Sequence, residues 1–318
     1  MRYTIRHVTR FTYESVISES VMEARMQPRS EGAQRCLRFG LSTTPASRVR
    51  MYQDHEGNVV HHFNVPGQHS RLTVTAEALV ECAVPFTEGL PVGTWTELDA
   101  HTASGEFWEC LNVSAFTPHT ALLDTFAGEI GLARLADPLS TVQQVSEEMH
   151  TRFEYSPQST RVDSPIDDAL GSRRGVCQDF AHIMIALVRR IGVPCRYVSG
   201  YLFQSADGPL RSSDGATHAW VEAWLPGRGW IGFDPTNHML AGERHIRVAV
   251  GRDYADVPPT KGIFKGTSAV RSELAVAVRV GPVDFATEEP VPFLSWQSRE
   301  AMAPVGETTS SLQQQRQQ

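Results

Sequence analysis

The chain of 318 residues is long enough for one large or two modest hydrophobic cores, and its 41% of apolar residues excludes a chain that is disordered throughout. Its formal net charge of −7 leaves no basic excess, so we expect neither nucleic acid nor a membrane as a partner. Five cysteines without a paired spacing argue against a disulfide framework and favour a reducing compartment, and the cytoplasm is the expected location.

The first hundred residues predict a β-rich N-terminal domain. Apolar and polar residues alternate over residues 3–13 and again over residues 72–84, which is the period of half-buried strands. Between them, the turn-forming segment Asp54–Asn58 predicts a hairpin. We therefore expect a β-sandwich-like domain over residues 1–100.

Helical signals follow a weakly patterned stretch over residues 85–118, and residues 101–135 are predicted to form a linker with a helical lead-in. Asp137 followed by Pro138 is typical of an N-cap and a first helical position, and Ser164 followed by Pro165 repeats the pattern.

The clearest helix is predicted from Val176 to about Ile191, where apolar residues recur at helical spacing and Gly192 ends the pattern. Strand patterns come next, at residues 195–203, 218–225, 230–234 and 246–250, with a last alternation over 274–280. Helices followed by strands favour an α+β class. We expect a core domain over residues 136–285, and a C-terminal extension over 286–318 whose Ser-, Thr- and Gln-rich tail is disordered.

One cysteine stands at a position that favours reactivity. Cys177 falls in the first turn of the predicted helix, where free backbone N–H groups and the helix dipole stabilise a thiolate. The alternative is a structural thiol packed as a small hydrophobe, and this is the expectation for Cys82 and Cys195, which lie in apolar strands.

A base for this thiol is predicted on a hairpin. A turn centred near Gly227 pairs residue 222 with 232 and residue 220 with 234, so Asp234 lies diagonal to His218 on one face, with Gly232 leaving room for the imidazole. A register shift of one residue would place the two on opposite faces. In this arrangement His218 accepts the thiol proton, Asp234 holds the Nδ1–H tautomer, and the backbone N–H of Cys177 stabilises an oxyanion.

Four ordered blocks resemble bacterial transglutaminase-like proteins of the two-domain type. They are Gly175–Ala181, Cys195–Tyr201, Thr217–Glu222 and Phe233–Asn237, and the later segment Gly251–Pro259 is also similar. The resemblance implies a papain-like core preceded by a β-rich domain, with Cys177, His218 and Asp234 as the catalytic triad.

Three residues are candidates for substrate contacts. Trp220 shares the face of His218 and could form, with Trp224, an aromatic wall, although packing in the core is an equal alternative. Tyr201 and Gln178 lie within the matching blocks.

The leading hypothesis is a cysteine peptidase or amidase that forms an acyl-cysteine on a peptide or amide substrate, without cofactor or metal. The alternatives are transfer of the acyl group to an amine, as in a transglutaminase, and a non-catalytic interaction module. The oligomeric state stays open.

Two further features lie close to Cys177 in the sequence: a pair of arginines before it and a histidine five residues after it. Arg173 and Arg174 precede the nucleophile and could attract an acidic substrate, or form a solvated loop. His182 is expected to be a partly buried structural histidine rather than the base.

Overall fold

The computed structural model describes residues 1–84, 91–204, 210–212, 215–266 and 271–283. The elements are, in chain order, β1 (Arg2–Ala24), β2 (Gln34–Thr44), β3 (Val49–Gln53), β4 (Val59–Cys82), α1 (Trp95–Thr102), α2 (Trp108–Leu111), α3 (Ala121–Glu129), α4 (Pro138–Arg152), β5 (Glu154–Tyr155), α5 (Ile166–Ser172), β6 (Arg174–Gly175), α6 (Cys177–Arg190), β7 (Cys195–Leu202), β8 (His218–Leu225), β9 (Gly229–Asp234), β10 (Met239–Leu240), β11 (His245–Gly251), β12 (Thr260–Lys265) and β13 (Ser272–Pro282).

The N-terminal region is a six-stranded antiparallel sheet built on the long strands β1 and β4. Register shifts between Thr12 and Ile17 divide β1 into two halves; β13 pairs with the first half and β12 with the second. A bulge of this kind bends a strand, and one hydrophobic cluster includes Phe11 from the first half and Met22 from the second. The expected sandwich-like domain is thus one continuous sheet with a shared core.

The predicted domain boundary is wrong at the C-terminal side. Strands β12 and β13, which the sequence placed in the core domain, pair with β1 instead; Phe11 lies opposite Leu274, and Ala24 opposite Thr260. Alternation identifies a half-buried strand, but it carries no information about which distant strand will be its partner.

The stretch predicted as irregular contains two short helices. Helix α1 begins with a capping box, in which Glu97 N–H donates to Thr94 and the Glu97 carboxylate accepts from Thr94 N–H. Helix α4 has the expected cap at Asp137 and Pro138 at its start. In α5 the N-cap is Pro165 rather than Ser164, because the Ser164 hydroxyl accepts a hydrogen bond from Arg161 N–H.

The second sheet has the strand order β10-β9-β8-β7-β11 and is antiparallel throughout. Helix α6 packs into the main core, and every residue from Gln178 to Arg189 is buried. The predicted hairpin register is confirmed, since Glu222 lies opposite Gly232 and Trp224 opposite Trp230.

Buried polar side chains join the N-terminal sheet to β11. The Asn58 amide exchanges two hydrogen bonds of 2.8 Å with the backbone of Val250, and the Gln34 amide does the same with Arg247. Across the described parts of the chain, we find no helix with the length and apolar character needed to cross a bilayer. The expected disordered tail lies outside the described residues.

Candidate active site

Cys177 is the first residue of α6, at the end of a loop that is held to the helix by a buried carboxylate. Asp179 accepts hydrogen bonds from Val176 N–H at 2.8 Å and from the Thr160 hydroxyl at 2.5 Å. A Cβ on Gly175 would lie 2.9 Å from Asp179, so this close approach requires glycine. The first N–H groups of a helix have no intrahelical acceptor, and they stabilise negative charge at the Cys177 sulfur or on a bound oxygen.

His218 opens β8 and is hydrogen bonded to Asp234 at the end of β9. Its Nε2–H donates to Asp234 Oδ2 at 2.8 Å, and both side chains are buried. The expected Nδ1–H tautomer is therefore wrong. The ring extends diagonally across the hairpin, so its more distant nitrogen, Nε2, bonds the carboxylate.

The other ring nitrogen of His218 lies towards Cys177. Nδ1 is buried without an ordinary hydrogen-bond partner, while the Cys177 thiol is close enough to raise the pKa of the imidazole. Since Nε2 is bonded to Asp234, the nitrogen that remains for an interaction with the thiol is Nδ1. Contacts of this kind often tighten only when a substrate is bound.

The mutual attraction of His218 and Asp234 opposes the effect of burial on their pKa values. Burial alone would lower the pKa of His218, but the Asp234 charge and its hydrogen bond raise it to about 10. Burial alone would raise the pKa of Asp234, but the His218 charge and hydrogen bonds hold it well below its usual range. The folded protein thus carries an imidazolium–carboxylate pair at neutral pH.

Three more residues, with four donor groups, orient the Asp234 carboxylate. Oδ1 accepts from the backbone N–H groups of Thr236 and Asn237, each at 3.1 Å. Oδ2 accepts from the Asn237 amide at 2.8 Å and from His245 Nε2 at 3.1 Å. A carboxylate held by this many donors has one rotamer and remains charged.

His245, on β11, is a site residue that the sequence did not indicate. Its Nδ1 accepts a hydrogen bond from Gly242 N–H at 3.3 Å, so Nε2 carries the proton that is donated to Asp234. Burial lowers the pKa of His245, which keeps this second imidazole neutral. Strand β11 pairs with β7 and not with β9, so no hairpin register could have placed this residue beside Asp234.

The three residues predicted to contact a substrate lie in the interior. The Trp220 ring is fully buried and stacks on His218 with 6.0 Å between ring centroids. The Tyr201 hydroxyl is hydrogen bonded to His7 of the N-terminal sheet at 3.0 Å. Gln178 is buried and donates to the Val162 carbonyl at 3.0 Å. All three side chains are thus buried against other parts of the protein, and their contact with a substrate stays a prediction.

Two glycines make room for Trp220. A Cβ on Gly200 would lie 2.6 Å from the Trp220 ring and 2.2 Å from the Ile246 carbonyl. A Cβ on Gly232 would lie 2.4 Å from Ala241, so this glycine admits Ala241 and the indole rather than the imidazole, contrary to the sequence prediction.

The remaining cysteines and His182 have structural surroundings. Burial raises the pKa of four thiols, to about 11 for Cys82 and Cys110 and in the same direction for Cys36 and Cys195. His182 is fully buried, accepts a hydrogen bond from Tyr254 N–H, and has a pKa lowered by burial to about 3.

The ligand atoms of His218, Asp234 and His245 lie within 4.8 Å of one another, a spacing that a metal ion could use. The Nε2 atoms of His218 and His245 lie 2.8 and 3.1 Å from Asp234 Oδ2, which are the separations of N–H donors to a carboxylate. His218 and His245 are therefore both joined to Asp234 by hydrogen bonds.

Comparison with known proteins places this arrangement in a family. The bacterial transglutaminase-like N-terminal region matches residues 3–81, and the transglutaminase-like superfamily matches residues 126–235. An uncharacterized protein of Mycobacterium leprae is 38% identical over 284 residues, which cover 87% of this chain and 98% of the relative. A protein-glutamine gamma-glutamyltransferase of Pseudomonas aeruginosa is 36% identical over 100 residues, 30% of this chain and 15% of the relative.

A crystal structure supports the fold. A protein of Cytophaga hutchinsonii that is proposed to be a cysteine protease superposes with a TM-score of 0.69 at 23% identity, covering 90% of this chain and 92% of that chain. The expected α+β class, with a papain-like core and a β-rich N-terminal region, is confirmed. Since both family matches occur in the expected order and the mycobacterial relative is similar over nearly its whole length, the chain belongs to the bacterial transglutaminase-like family.

Proposed function

We propose that the chain is a thiol enzyme that acts on amide or peptide bonds through an acyl-cysteine at Cys177, most simply as a peptidase or amidase. The observation that carries this proposal is the position of His218. Its Nε2–H is bonded to the buried Asp234 carboxylate, which leaves Nδ1 for the Cys177 thiol. Of the five cysteines, Cys177 is the one that begins a helix.

The chemistry follows from these contacts. The proton of the Cys177 thiol resides on Nδ1 of His218, because the raised pKa of this histidine favours the imidazolium, and the thiolate of this ion pair attacks the substrate carbonyl to form a C–S bond. The oxyanion lies at the start of α6, where the Cys177 N–H donates to it. As the C–N bond breaks, the imidazolium gives its proton to the leaving amine. A water molecule then attacks the thioester carbonyl while His218 takes its proton; the C–S bond breaks, the carboxylic acid leaves, and the thiolate–imidazolium pair is restored.

Transfer to an amine is the second candidate function. The similarity to the protein-glutamine gamma-glutamyltransferase favours it, but that similarity covers only part of each chain. Amine transfer needs a site that excludes water. Trp220 is buried, and Trp224 packs against Phe107 with 4.6 Å between ring centroids, which fits the alternative that both indoles pack in the core. This arrangement favours hydrolysis.

Alkylation with iodoacetamide across pH tests the proposal. We expect Cys177 to be modified at pH 6 at least 100-fold faster than the other four cysteines, whose pKa values burial raises. The preference should disappear in His218→Ala and persist in the matched variant His238→Ala, which removes an exposed histidine. Mass spectrometry of tryptic peptides measures each site. Equal and slow labelling of all cysteines would instead support a non-catalytic interaction module.

A panel of peptide and amide substrates, with and without an added primary amine, separates the two reactions. Hydrolysis gives a free acid whether or not the amine is present, and transfer gives the substituted amide. A cytoplasmic location would keep the required thiol reduced and stays a prediction.

A further inference from the structure

A cavity of about 680 Å³ opens between the end of α4, the short strands β5 and β6, and the segment that precedes β8. Its charged lining consists of Arg152, Glu154, Arg173, Arg174 and Arg211, and its aromatic lining of Phe153 and Tyr155. The cavity includes the Arg173–Arg174 pair that the sequence left as either a solvated loop or an attraction for acidic substrates.

Two short connections join the lining of the cavity to the candidate active site, one along the chain and one through hydrogen bonds. Arg174 is three residues before Cys177, and three residues span at most about 11 Å. On the other side, Arg211 N–H donates to the Asn237 amide oxygen at 2.9 Å, and the Asn237 NH₂ group donates to Asp234. The cavity is therefore within reach of a substrate side chain that lies one or two residues from the bond attacked by Cys177.

The charge of the cavity is positive. Four arginines line it together with one glutamate, Glu154, which forms a two-pronged ion pair with Arg174. Arg152 and Arg173 pair with Glu148 and Glu129, which are not part of the lining.

Two guanidinium groups retain donors for a ligand. Arg211 pairs with no carboxylate in the described residues, and its guanidinium donates to the carbonyl oxygens of His150 at 2.7 Å and Phe153 at 3.4 Å. Arg173 Nη1 is buried without a hydrogen-bond partner. A buried donor without a partner costs free energy, which an acceptor from a ligand would recover.

The Arg173 guanidinium is held in place before any ligand arrives. Its backbone has the left-handed φ of 56° at the end of α5, and its guanidinium lies 4.3 Å above the Phe126 ring and 5.3 Å above the Phe153 ring. A planar guanidinium that is fixed by stacking binds a carboxylate with little further loss of entropy.

We propose that this cavity is a subsite for a carboxylate of the substrate, with Arg211 and Arg173 as its donors. The inference rests on the proposed function and adds a substrate class: peptides with an acidic residue one or two positions from the bond that Cys177 attacks.

A pair of thiol-reactive peptides tests the subsite. Iodoacetyl-glycyl-glutamate α-amide and iodoacetyl-glycyl-glutamine α-amide have the same size and differ in one side-chain carboxylate. We expect the glutamate reagent to alkylate Cys177 about tenfold faster than the glutamine reagent at low salt. The ratio should fall at 0.5 M NaCl, because exposed arginines are screened.

Three variants separate the subsite from general charge effects. We expect Arg211→Gln and Arg173→Gln to reduce the ratio to about 1–3, and Arg211→Lys to retain most of it, because the charge remains. Arg190→Gln is the matched control: Arg190, like Arg173, pairs with a carboxylate, but it lies at the far end of α6, about 20 Å from Cys177, and its loss should leave the ratio unchanged.

The outcomes distinguish the two proposals. Equal rates for the two reagents, while Cys177 still reacts faster with iodoacetamide than the other cysteines, overturn the subsite and leave the thiol enzyme standing. Equal ratios in the wild type and the Arg211 and Arg173 variants also overturn it. A Cys177 that is as slow as the other cysteines towards every reagent overturns both proposals.

Discussion

Two buried histidines, one in each sheet, differ in charge at neutral pH: His7 is neutral and His218 is cationic. His7 in the N-terminal sheet bonds the Tyr201 hydroxyl at 3.0 Å and the Thr9 hydroxyl at 3.1 Å, and burial lowers its pKa to about 4. His218 in the second sheet bonds Asp234, and its pKa is raised to about 10.

The difference between the two histidines arises from their partners and not from their burial, because both side chains are fully buried. Hydroxyl groups satisfy the hydrogen bonds of a neutral imidazole, whereas a carboxylate stabilises the imidazolium. A buried histidine therefore becomes a proton acceptor for a neighbouring thiol only when a charged group holds its other nitrogen. The following predictions test this comparison.

The largest effect is expected from Asp234→Asn, which should make His218 resemble His7. Without the carboxylate, burial lowers the pKa of His218, the imidazole is neutral at pH 7, and the Cys177 thiolate loses its cationic partner. We expect iodoacetamide to alkylate Cys177 about 100- to 1000-fold more slowly at pH 6.

Asp253→Asn is the control for this change. Asp253 is also buried and accepts hydrogen bonds from the backbone N–H groups of Phe116 and Ala255, not from a histidine. We expect its removal to lower stability without changing the pH profile of Cys177. Similar profiles for the wild type and Asp234→Asn would show that the carboxylate does not set the charge of His218.

His7 is expected to make the protein less stable in acid. Its pKa is lower in the folded state than the usual 6.5, so the unfolded chain binds more protons between these values and stability falls as the pH is lowered from 6.5 towards 4. The slope is about 1.4 kcal/mol per pH unit, or roughly 3 kcal/mol over the whole interval.

Urea unfolding of His7→Gln between pH 7 and 4.5 measures this contribution, and we expect a shallower slope than in the wild type. His55→Gln, which removes a side chain with 66% exposure, is the control and should leave the slope unchanged. If His7→Gln retains the wild-type slope, other groups account for the acid sensitivity.

The sequence predicted the parts of the site that depend on local geometry. Helical spacing and a stop at Gly192 located Cys177 at a helix start, and the turn at Gly227 determined the register that brings His218 and Asp234 together. Each of these relations joins residues within one helix or one hairpin, where period and turn chemistry are sufficient.

The sequence could not predict relations between distant segments. His245 and the partners of β12 and β13 depend on which strands become neighbours, and an alternating pattern is compatible with several choices. The bonded nitrogen of His218 depends on the direction from which the ring approaches Asp234, and the burial of Tyr201 depends on the docking of the N-terminal sheet. Those properties arise only from the assembled fold.

The smallest effect is expected at His245, which contacts the carboxylate and not the thiol. We expect His245→Leu to slow alkylation of Cys177 about tenfold and to move its pH profile, because Asp234 loses one of its five donors and shifts relative to His218. His245→Gln retains an N–H donor and should recover part of the rate, whereas a purely steric role would make the two variants equally slow. His238→Gln, at an exposed histidine four residues after Asp234, should leave rate and profile unchanged. An unchanged profile in His245→Leu would mean that the other four hydrogen bonds alone hold the Asp234 carboxylate in place. His218 would then need Asp234 as its charged partner, but not the second imidazole of His245.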